Sequence, residues 1–247
     1  MRRPLADQRL RPRVVAPSSG QGLAAVLPVP FTEHAAAVLE PVAGQSCLLR
    51  VVRSCLDAVD DPARVIVAAA EPLAGDLRQH LVRDGLDAVN VTVADGPATR
   101  AACLAVALKE AVSKPVSASS VLVYDVRQPL TTAALGDRVV RRLAEGAAVV
   151  LPVLAVTDSV KAVDEHGAII ASLDRSTLQS VQHPRGFAVA DLRRLLTGAV
   201  GEFDEVLEAI RAAVPIATVD GDPEAIAVDL PHDAPFLEAV IASRRAR

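Results

Sequence analysis

Apolar runs of strand length alternate with amphipathic segments along most of this chain. Runs that are apolar throughout predict buried strands at 23–29, 64–70, 88–94, 120–126 and 147–153. Apolar residues at helical spacing predict helices at 47–59, 72–85, 99–112 and 135–146. Fully apolar strands that alternate with helices of about 10 to 15 residues are typical of a parallel sheet covered on both faces.

This alternation is interrupted once, between residues 159 and 173. Two short runs of β type flank Asp164-Glu165-His166-Gly167, which is a hairpin signal. Beyond it, the pattern predicts helices at 189–197 and 202–213, a strand at 215–219 and a final helix near 233–244.

We therefore predict an α/β fold: a doubly wound, mainly parallel, Rossmann-like sheet with helices on both faces and a projecting β-hairpin dimerisation arm at about 157–175. No internal repeat or linker divides the chain, so residues 23–247 are expected to form a single domain. Residues 1–22, which are rich in arginine, are expected to form a basic, disordered tail.

Candidate chemistry gathers at one edge of this predicted sheet. In open α/β sheets, ligands bind beyond the carboxyl ends of the strands, which selects residues 28–37, 95–100 and 125–129. The stretch LDRSTLQSVQHPRGF (173–187) is unusually polar for this chain. It enters at the same edge if its strand follows the hairpin back, so the polar residues are predicted to converge there.

Composition and charge exclude several classes of partner. Hydrophobic residues make up 51% of the 247 residues, but aromatic residues only 2%, so the interior must be aliphatic. Without interleaved aromatic side chains, single-stranded nucleic acid is not an expected ligand. The net charge of −4 provides no general basic surface for nucleic acid.

Cysteine usage and hydropathy indicate a cytoplasmic protein. Cys47, Cys55 and Cys103 have no CxxC spacing, which predicts buried free thiols in a reducing compartment. No apolar run reaches the roughly 18 residues that span a bilayer, and no signal-peptide pattern follows the arginine-rich start. We therefore expect no membrane contact.

The histidines lack metal-ligand spacing, and no P-loop or G-x-S-x-G motif occurs, which excludes an independent NTPase or hydrolase of those types.

Five segments, in order, resemble the 2-C-methyl-D-erythritol 4-phosphate cytidylyltransferase family of isoprenoid biosynthesis. VLVYDVRQP resembles the family's V-L-V-H-D-A-A-R-P, and PVLAVTDSVKAV resembles its P-V-x-D-T-I-K segment. LDRSTLQSVQHPRGF resembles T-x-D-R-x-x-L-x-x-x-Q-T-P-Q-x-F. ADGPATRAACLAVAL resembles the G-G-x-x-R-x-x-S-V helix start, and VDGDPEAIAV the stretch before the last helix. The resemblance covers about residues 23 to 242.

This resemblance implies a reaction and a set of site residues. CTP and methylerythritol phosphate, the sugar phosphate, would give a cytidine diphosphate product and pyrophosphate, with Mg²⁺ as cofactor. The protein would be a homodimer in which each hairpin arm reaches over the partner's site. The implied catalytic residues are Asp125, also the metal ligand, Arg175 and Lys161. The implied substrate-binding residues are Asp158, Ser159, Asp174, His183 and Asp204. The implied nucleotide-binding residues are Pro28, Asp95, Gly96 and Arg100.

Several family positions are altered, above all after the first strand. The family continues with A-A-G-x-G-x-R-M and then P-K, whereas this chain has Val29-Pro30-Phe31-Thr32-Glu33-His34 and no glycine between residues 23 and 43. Small residues there let backbone N–H groups surround a triphosphate, and lysine supplies charge. The loop is also several residues short, so the first family lysine falls at or near Ala37, and the second falls at Ala227. A family arginine falls at Gln128 unless the neighbouring Arg127 substitutes for it.

Three hypotheses follow from these departures. The chain could be an active nucleotidyltransferase that accepts another nucleotide or sugar phosphate. It could be a divergent paralogue that has weak or lost catalysis and acts as a regulator or partner, or it could retain only the scaffold as an interaction module. Retention of Asp125, Asp158, Asp174 and Arg175 argues against the third hypothesis, and the absent glycine loop argues against the first.

Overall fold

The computed structural model describes residues 22–30, 35–96, 98–113, 117–199 and 202–245. The strands are β1 Leu23–Val29, β2 Pro41–Val42, β3 Gln45–Ser46, β4 Val65–Ala69, β5 Asn90–Val93, β6 Ser120–Val123, β7 Val149–Ala155, β8 Lys161–Val163, β9 Ile169–Ser172, β10 Gln179–Val181, β11 Arg185–Ala188 and β12 Ile216–Asp220. The helices are α1 Cys47–Ala58, α2 Glu71–Arg83, α3 Arg100–Ser113, α4 Ala133–Ala144, α5 Val189–Leu196, α6 Glu205–Arg211 and α7 Ala234–Arg245. Short 3₁₀ helices cover Ala35–Leu39, Pro62–Arg64 and Arg175–Thr177.

A central sheet runs in the order β5-β4-β1-β6-β11-β7, and β10 and β12 also pair with β7. β1, β4, β5 and β6 are parallel, as are β7 and β12. β10 and β11 run antiparallel to their neighbours. The predicted α/β, mainly parallel, Rossmann-like fold is therefore confirmed.

Alternate residues of β1 explain why its run is apolar throughout. Leu23, Ala25 and Leu27 pack in a core with residues of α1 and α2. Ala24 and Val26 point to the other face of the sheet and pack in a second core with residues of α3 and α5. Because side chains alternate across a strand, a sheet covered by helices on both faces needs apolar residues at every position.

The antiparallel strand β11, in the middle of the sheet, was not predicted. Its residues Arg185 and Gly186 are not typical of a buried strand, and β10 is equally short and polar. Gly186 is explained by the helix above it, since a Cβ there would lie 2.6 Å from Val139 and 2.9 Å from Leu143 of α4. The sequence prediction that the segment after the hairpin returns to the carboxyl edge of the sheet is confirmed, because β10 pairs with the end of β7.

The predicted hairpin is present as β8 and β9, which pair antiparallel around a turn with Gly167 at φ +81°. We call residues 157–175 the arm. Its apolar side chains are exposed within one chain: Val163, Ile169, Ile170 and Leu173. The arm therefore packs little of its own apolar surface.

The predicted state of the cysteines is confirmed. Cys47, Cys55 and Cys103 are all buried and free, and burial raises the pKa of each thiol. Such thiols are poor nucleophiles. Within the described ranges, no helix has the length and apolar character needed to cross a membrane.

Candidate active site

A cavity of about 430 Å³ opens at the carboxyl ends of β1 and β6. Most of its described lining is apolar, with two arginines and two aspartates among it: Pro28, Val29, Pro30, Ala35, Val38, Arg100, Asp125, Val126, Arg127, Asp229 and Leu230. Pro28, Arg100 and Asp125, which the sequence assigned to nucleotide and metal, are thus brought together. Residues 31–34, including Glu33, lie outside the described residues.

Asp125 forms a close pair with Arg127. The Arg127 side chain donates from Nε to Oδ1 at 3.1 Å and from Nη2 to Oδ2 at 2.8 Å. The backbone N–H of Arg127 also donates to Oδ1 at 2.9 Å, as in an Asx-turn. Arg100 places Nη1 3.6 Å from Oδ2. Burial alone would raise the pKa of the Asp125 carboxyl, but these donors and positive charges hold that pKa well below its usual range.

A second polar cluster lies behind Arg100. Glu205, the first residue of α6, is fully buried and accepts from Arg100 Nε at 2.7 Å and from Arg185 Nη1 at 2.5 Å. Arg100 also donates to His183 Nε2 at 3.3 Å, and the His183 backbone N–H donates to Gln128 Oε1 at 2.6 Å. This cluster fixes the direction of Arg100, the cation that α3 presents to the cavity.

The imidazole of His183 is neutral in this environment. Burial lowers the pKa of His183 well below its usual range, and Arg185, Arg100 and Arg127 lower it further, while Asp125 opposes them. A neutral ring can accept a hydrogen bond from Arg100, which carries donors only. His183 therefore supports Arg100 from behind, and it does not line the cavity among the described residues.

Asp95 and Gly96 line a different cavity, of about 440 Å³, at the carboxyl ends of β4 and β5. Its other described lining residues are Ala70, Glu71, Pro72, Val93, Ala94 and Ala98. The residues assigned to nucleotide binding are therefore divided between two cavities on the same edge of the sheet.

Among the described residues, three of the five predicted site residues on the arm have local partners within this chain. Lys161 donates to Ser172, Arg175 donates to the carbonyl of Thr157, and Asp174 accepts from the backbone and hydroxyl of Ser176. These Ser176 bonds lower the pKa of the Asp174 carboxyl. Asp158 and Ser159 are exposed on the same arm. In the described part of the chain, none of these five residues bonds to a residue that lines the first cavity.

Asp204 has a structural role within the chain as well. Its Oδ1 accepts from the backbone N–H groups of Val206 and Leu207, which caps α6. It also lies 3.6 Å from Arg185. Capping by Asp204 places its neighbour Glu205 at the first position of the helix, turned inward.

Sequence reasoning missed Glu205 and did not decide between Gln128 and Arg127. The structure settles the second point, since Arg127 lines the cavity and Gln128 is buried beneath His183. The sequence did contain a signal for Glu205. This acidic residue directly follows a helix-capping aspartate, at a position that an amphipathic helix turns inward. Of the positions where the family has lysine, Ala37 lies in the short helix Ala35–Leu39 and Ala227 is exposed.

The residues present do not fit the divalent metal ion that the resemblance implies. Mg²⁺ in phosphate-handling sites is usually held by one or two carboxylates together with waters and substrate phosphates. Here both oxygens of Asp125 are already bonded to one guanidinium. Among the described residues, no three or more His, Cys, Asp or Glu side chains are grouped so that they could hold a metal ion.

Comparison with known proteins identifies one family throughout. The sequence profile of the family described as IspD, 2-C-methyl-D-erythritol 4-phosphate cytidylyltransferase, matches residues 12–243. A protein of that name from Saccharopolyspora erythraea is 35% identical over 237 residues, which cover 92% of this chain and 98% of the relative. Another, from Rhodococcus jostii, is 32% identical over 96% of this chain and 98% of the relative.

Solved structures agree with these sequence relatives. The crystal structure of 2-C-methyl-D-erythritol 4-phosphate cytidylyltransferase from Thermus thermophilus is 28% identical, with a TM-score of 0.68 over 89% of this chain and 98% of that one. A crystal structure of 4-diphosphocytidyl-2C-methyl-D-erythritol synthase has a TM-score of 0.73 at 21% identity, over 90% of this chain and 98% of that one, which supports the fold alone.

Proposed function

Because this chain belongs to the IspD family of 2-C-methyl-D-erythritol 4-phosphate cytidylyltransferases, we propose that it is a divergent cytoplasmic member with weak or lost transfer activity. In this proposal it keeps recognition of the sugar phosphate and binds CTP poorly. It acts as a homodimer through the arm.

The pairing of charges inside the cavity carries this proposal. The two arginines that line it are each bonded to a carboxylate of the same chain, Arg127 to Asp125 and Arg100 to the buried Glu205. Among the described residues, no lysine lines the cavity. A triphosphate would therefore meet cations that are already neutralised, together with the prolines at 28 and 30.

The expected cost to the reaction is large. Attack of a phosphate oxygen on the α-phosphorus of CTP builds negative charge, and this chain's own residues must stabilise it. One preorganised donor to such charge contributes about 10² to 10³ in rate. With alanine at 37 and 227, two cationic donors are replaced by methyl groups. The effects of such donors are not additive.

Arg175, Ser159 and Lys161 support the retained sugar-phosphate site. All lie on the arm, exposed, and none bonds to the first cavity among the described residues. An isolated two-stranded hairpin is marginal in water. A second copy that packs on the apolar side chains of the arm would cover them and bring the arm's cations to a partner's cavity.

Calorimetric titration of the full chain with CTP and with methylerythritol phosphate, each with Mg²⁺, tests this proposal. Each lost charge-assisted hydrogen bond weakens binding by about 1.5–3 kcal/mol, or roughly 10- to 100-fold. We expect CTP to bind at least about tenfold more weakly than it binds the Saccharopolyspora erythraea relative, and methylerythritol phosphate to bind more tightly than CTP.

Two variants locate the sugar-phosphate site. Arg175→Ala should lose most affinity for methylerythritol phosphate, whereas Arg193→Ala, an exposed arginine on α5, serves as the matched control and should not. Micromolar CTP binding by the parent chain would contradict the proposal.

A further inference from the structure

Asp125 and Arg127 form a local, closed ion pair. The two residues are separated by one position, and the turn that joins them is held by the Arg127 backbone N–H on Oδ1. The pair is therefore formed by a short stretch at the end of β6 and needs no distant element to assemble. The carboxylate side chain is 6% exposed, whereas the Arg127 side chain is 65% exposed.

The Arg127 side chain bonds to both carboxylate oxygens of Asp125, so neither oxygen is open to a metal ion. The side-chain bonds of Arg127 are bidentate, at 3.1 and 2.8 Å, which is the strong geometry for arginine and carboxylate. A divalent cation could reach Asp125 only by displacing a guanidinium that is already in place.

Arg127 lines the cavity and has N–H donors beyond those that bond to Asp125. A guanidinium has five N–H groups, and in the described part of the chain two of these bond to Asp125, which leaves three. Asp229 also lines this cavity. Removing the guanidinium would therefore leave two carboxylates, Asp125 and Asp229, in one cavity.

We propose that Arg127 is an internal cation that occupies the carboxylate of Asp125 in place of a divalent metal ion, and that a phosphate group enters this cavity without one. The inference rests on the proposed function only for the identity of the site. Arg127 is the residue on which this inference depends. A phosphate group would be met by the remaining N–H donors of that side chain.

Binding of Mn²⁺ alone to the full chain, measured by electron paramagnetic resonance, tests this directly. Parent protein should bind Mn²⁺ at least about tenfold more weakly than Arg127→Gln, which removes a charge-assisted bidentate pair from the carboxylate. The double variant Asp125→Asn with Arg127→Gln should lose that gain. Arg142→Gln, which removes a surface arginine that pairs with Glu145 at 2.7 Å, is the matched control and should behave as the parent.

A second titration follows inorganic pyrophosphate with EDTA and with Mg²⁺. We expect the parent's affinity to change less than about threefold between the two conditions, because the cation it uses is covalently part of the chain. Equal Mn²⁺ binding by parent and Arg127→Gln at any affinity, a gain that survives Asp125→Asn, or a tenfold gain in pyrophosphate affinity with Mg²⁺ would each overturn the inference. Neither titration measures turnover, so this inference and the proposed slow transfer fail separately.

Discussion

The cavity and the arm differ in where their polar groups find partners. At the cavity, Arg127 bonds to Asp125 and Arg100 bonds to Glu205 behind it, and the two carboxylates are buried. On the arm, Lys161 and Arg175 are exposed, and among the described residues their bonds go to nearby arm residues. The cavity network is complete within one chain, whereas the arm offers both charges and apolar side chains to something outside it.

The family resemblance therefore assigns site roles to residues of two different kinds. Residues of the first kind are held in place by the fold of a single chain, so a substitution there changes stability as well as ligand binding. Residues of the second kind are free of the core, so a substitution there should change association or ligand binding alone. Four predictions test that division.

Glu205→Gln should have the largest effect, because it removes the shared counter-ion of Arg100 and Arg185. Breaking a buried ion pair by removing one partner costs about 3–5 kcal/mol in the free energy of unfolding. Urea unfolding measures it. The matched control is Glu208→Gln, which removes a surface pair with Arg211 at 2.7 Å and should cost about 1 kcal/mol or less. Equal unfolding midpoints for the two variants would contradict the division.

Ile169→Ser should weaken dimerisation and leave the stability of each chain unchanged. Burial of an isoleucine side chain contributes about 1.5–3 kcal/mol, so the dissociation constant should rise at least about tenfold. Analytical ultracentrifugation over a concentration series measures it. Val82→Ser, at an exposed apolar residue of α2 that is 53% exposed, is the control. A parent chain that is monomeric at micromolar concentration would rule out the dimer.

His183 should make stability depend on pH. Its folded pKa is lowered, so below about 6.5 the unfolded chain takes up a proton that the folded chain does not. The contribution of His183 to the free energy of unfolding is fully present above pH 6.5. It is lost as pH falls towards the folded pKa, with a slope of up to about 1.4 kcal/mol per pH unit. Between pH 7.5 and 5, the free energy of unfolding should fall less steeply for His183→Gln than for the parent chain. The glutamine side chain retains an acceptor for Arg100.

The control for that slope lies on the arm. His166→Gln changes an exposed histidine of the hairpin turn and should leave the pH dependence of the parent intact. If His183→Gln and the parent lose stability equally over this range, the buried, neutral histidine is not the source.

Asp174→Ala should have the smallest effect. Asp174 is exposed and holds only the short helix Arg175–Thr177 through its bonds to Ser176. The midpoint of global unfolding should not move, whereas the backbone amide of Ser176 should exchange faster with solvent. Hydrogen exchange followed by NMR measures both, and a large loss of global stability would show that the arm is part of the core.

The sequence was informative where one physical pattern dominated. Apolar runs located β1, β4 and β7, and the turn before Gly167 located the hairpin. The sequence did not predict β11, because no apolar pattern marks this strand. Its Arg185 belongs to a polar network, and its Gly186 allows close contact with a helix. The sequence also could not reveal that Glu205 joins Arg100 and Arg185, because those residues are distant in sequence and meet only through the sheet.

Weak or lost transfer activity is tested by the rate of pyrophosphate release from CTP and methylerythritol phosphate with Mg²⁺. The Saccharopolyspora erythraea relative, which is 35% identical, is the reference enzyme at equal concentration. We expect release to be at least about 10² to 10³-fold slower from this chain, as for loss of even one preorganised donor. Release at a rate comparable with that of the relative would contradict it.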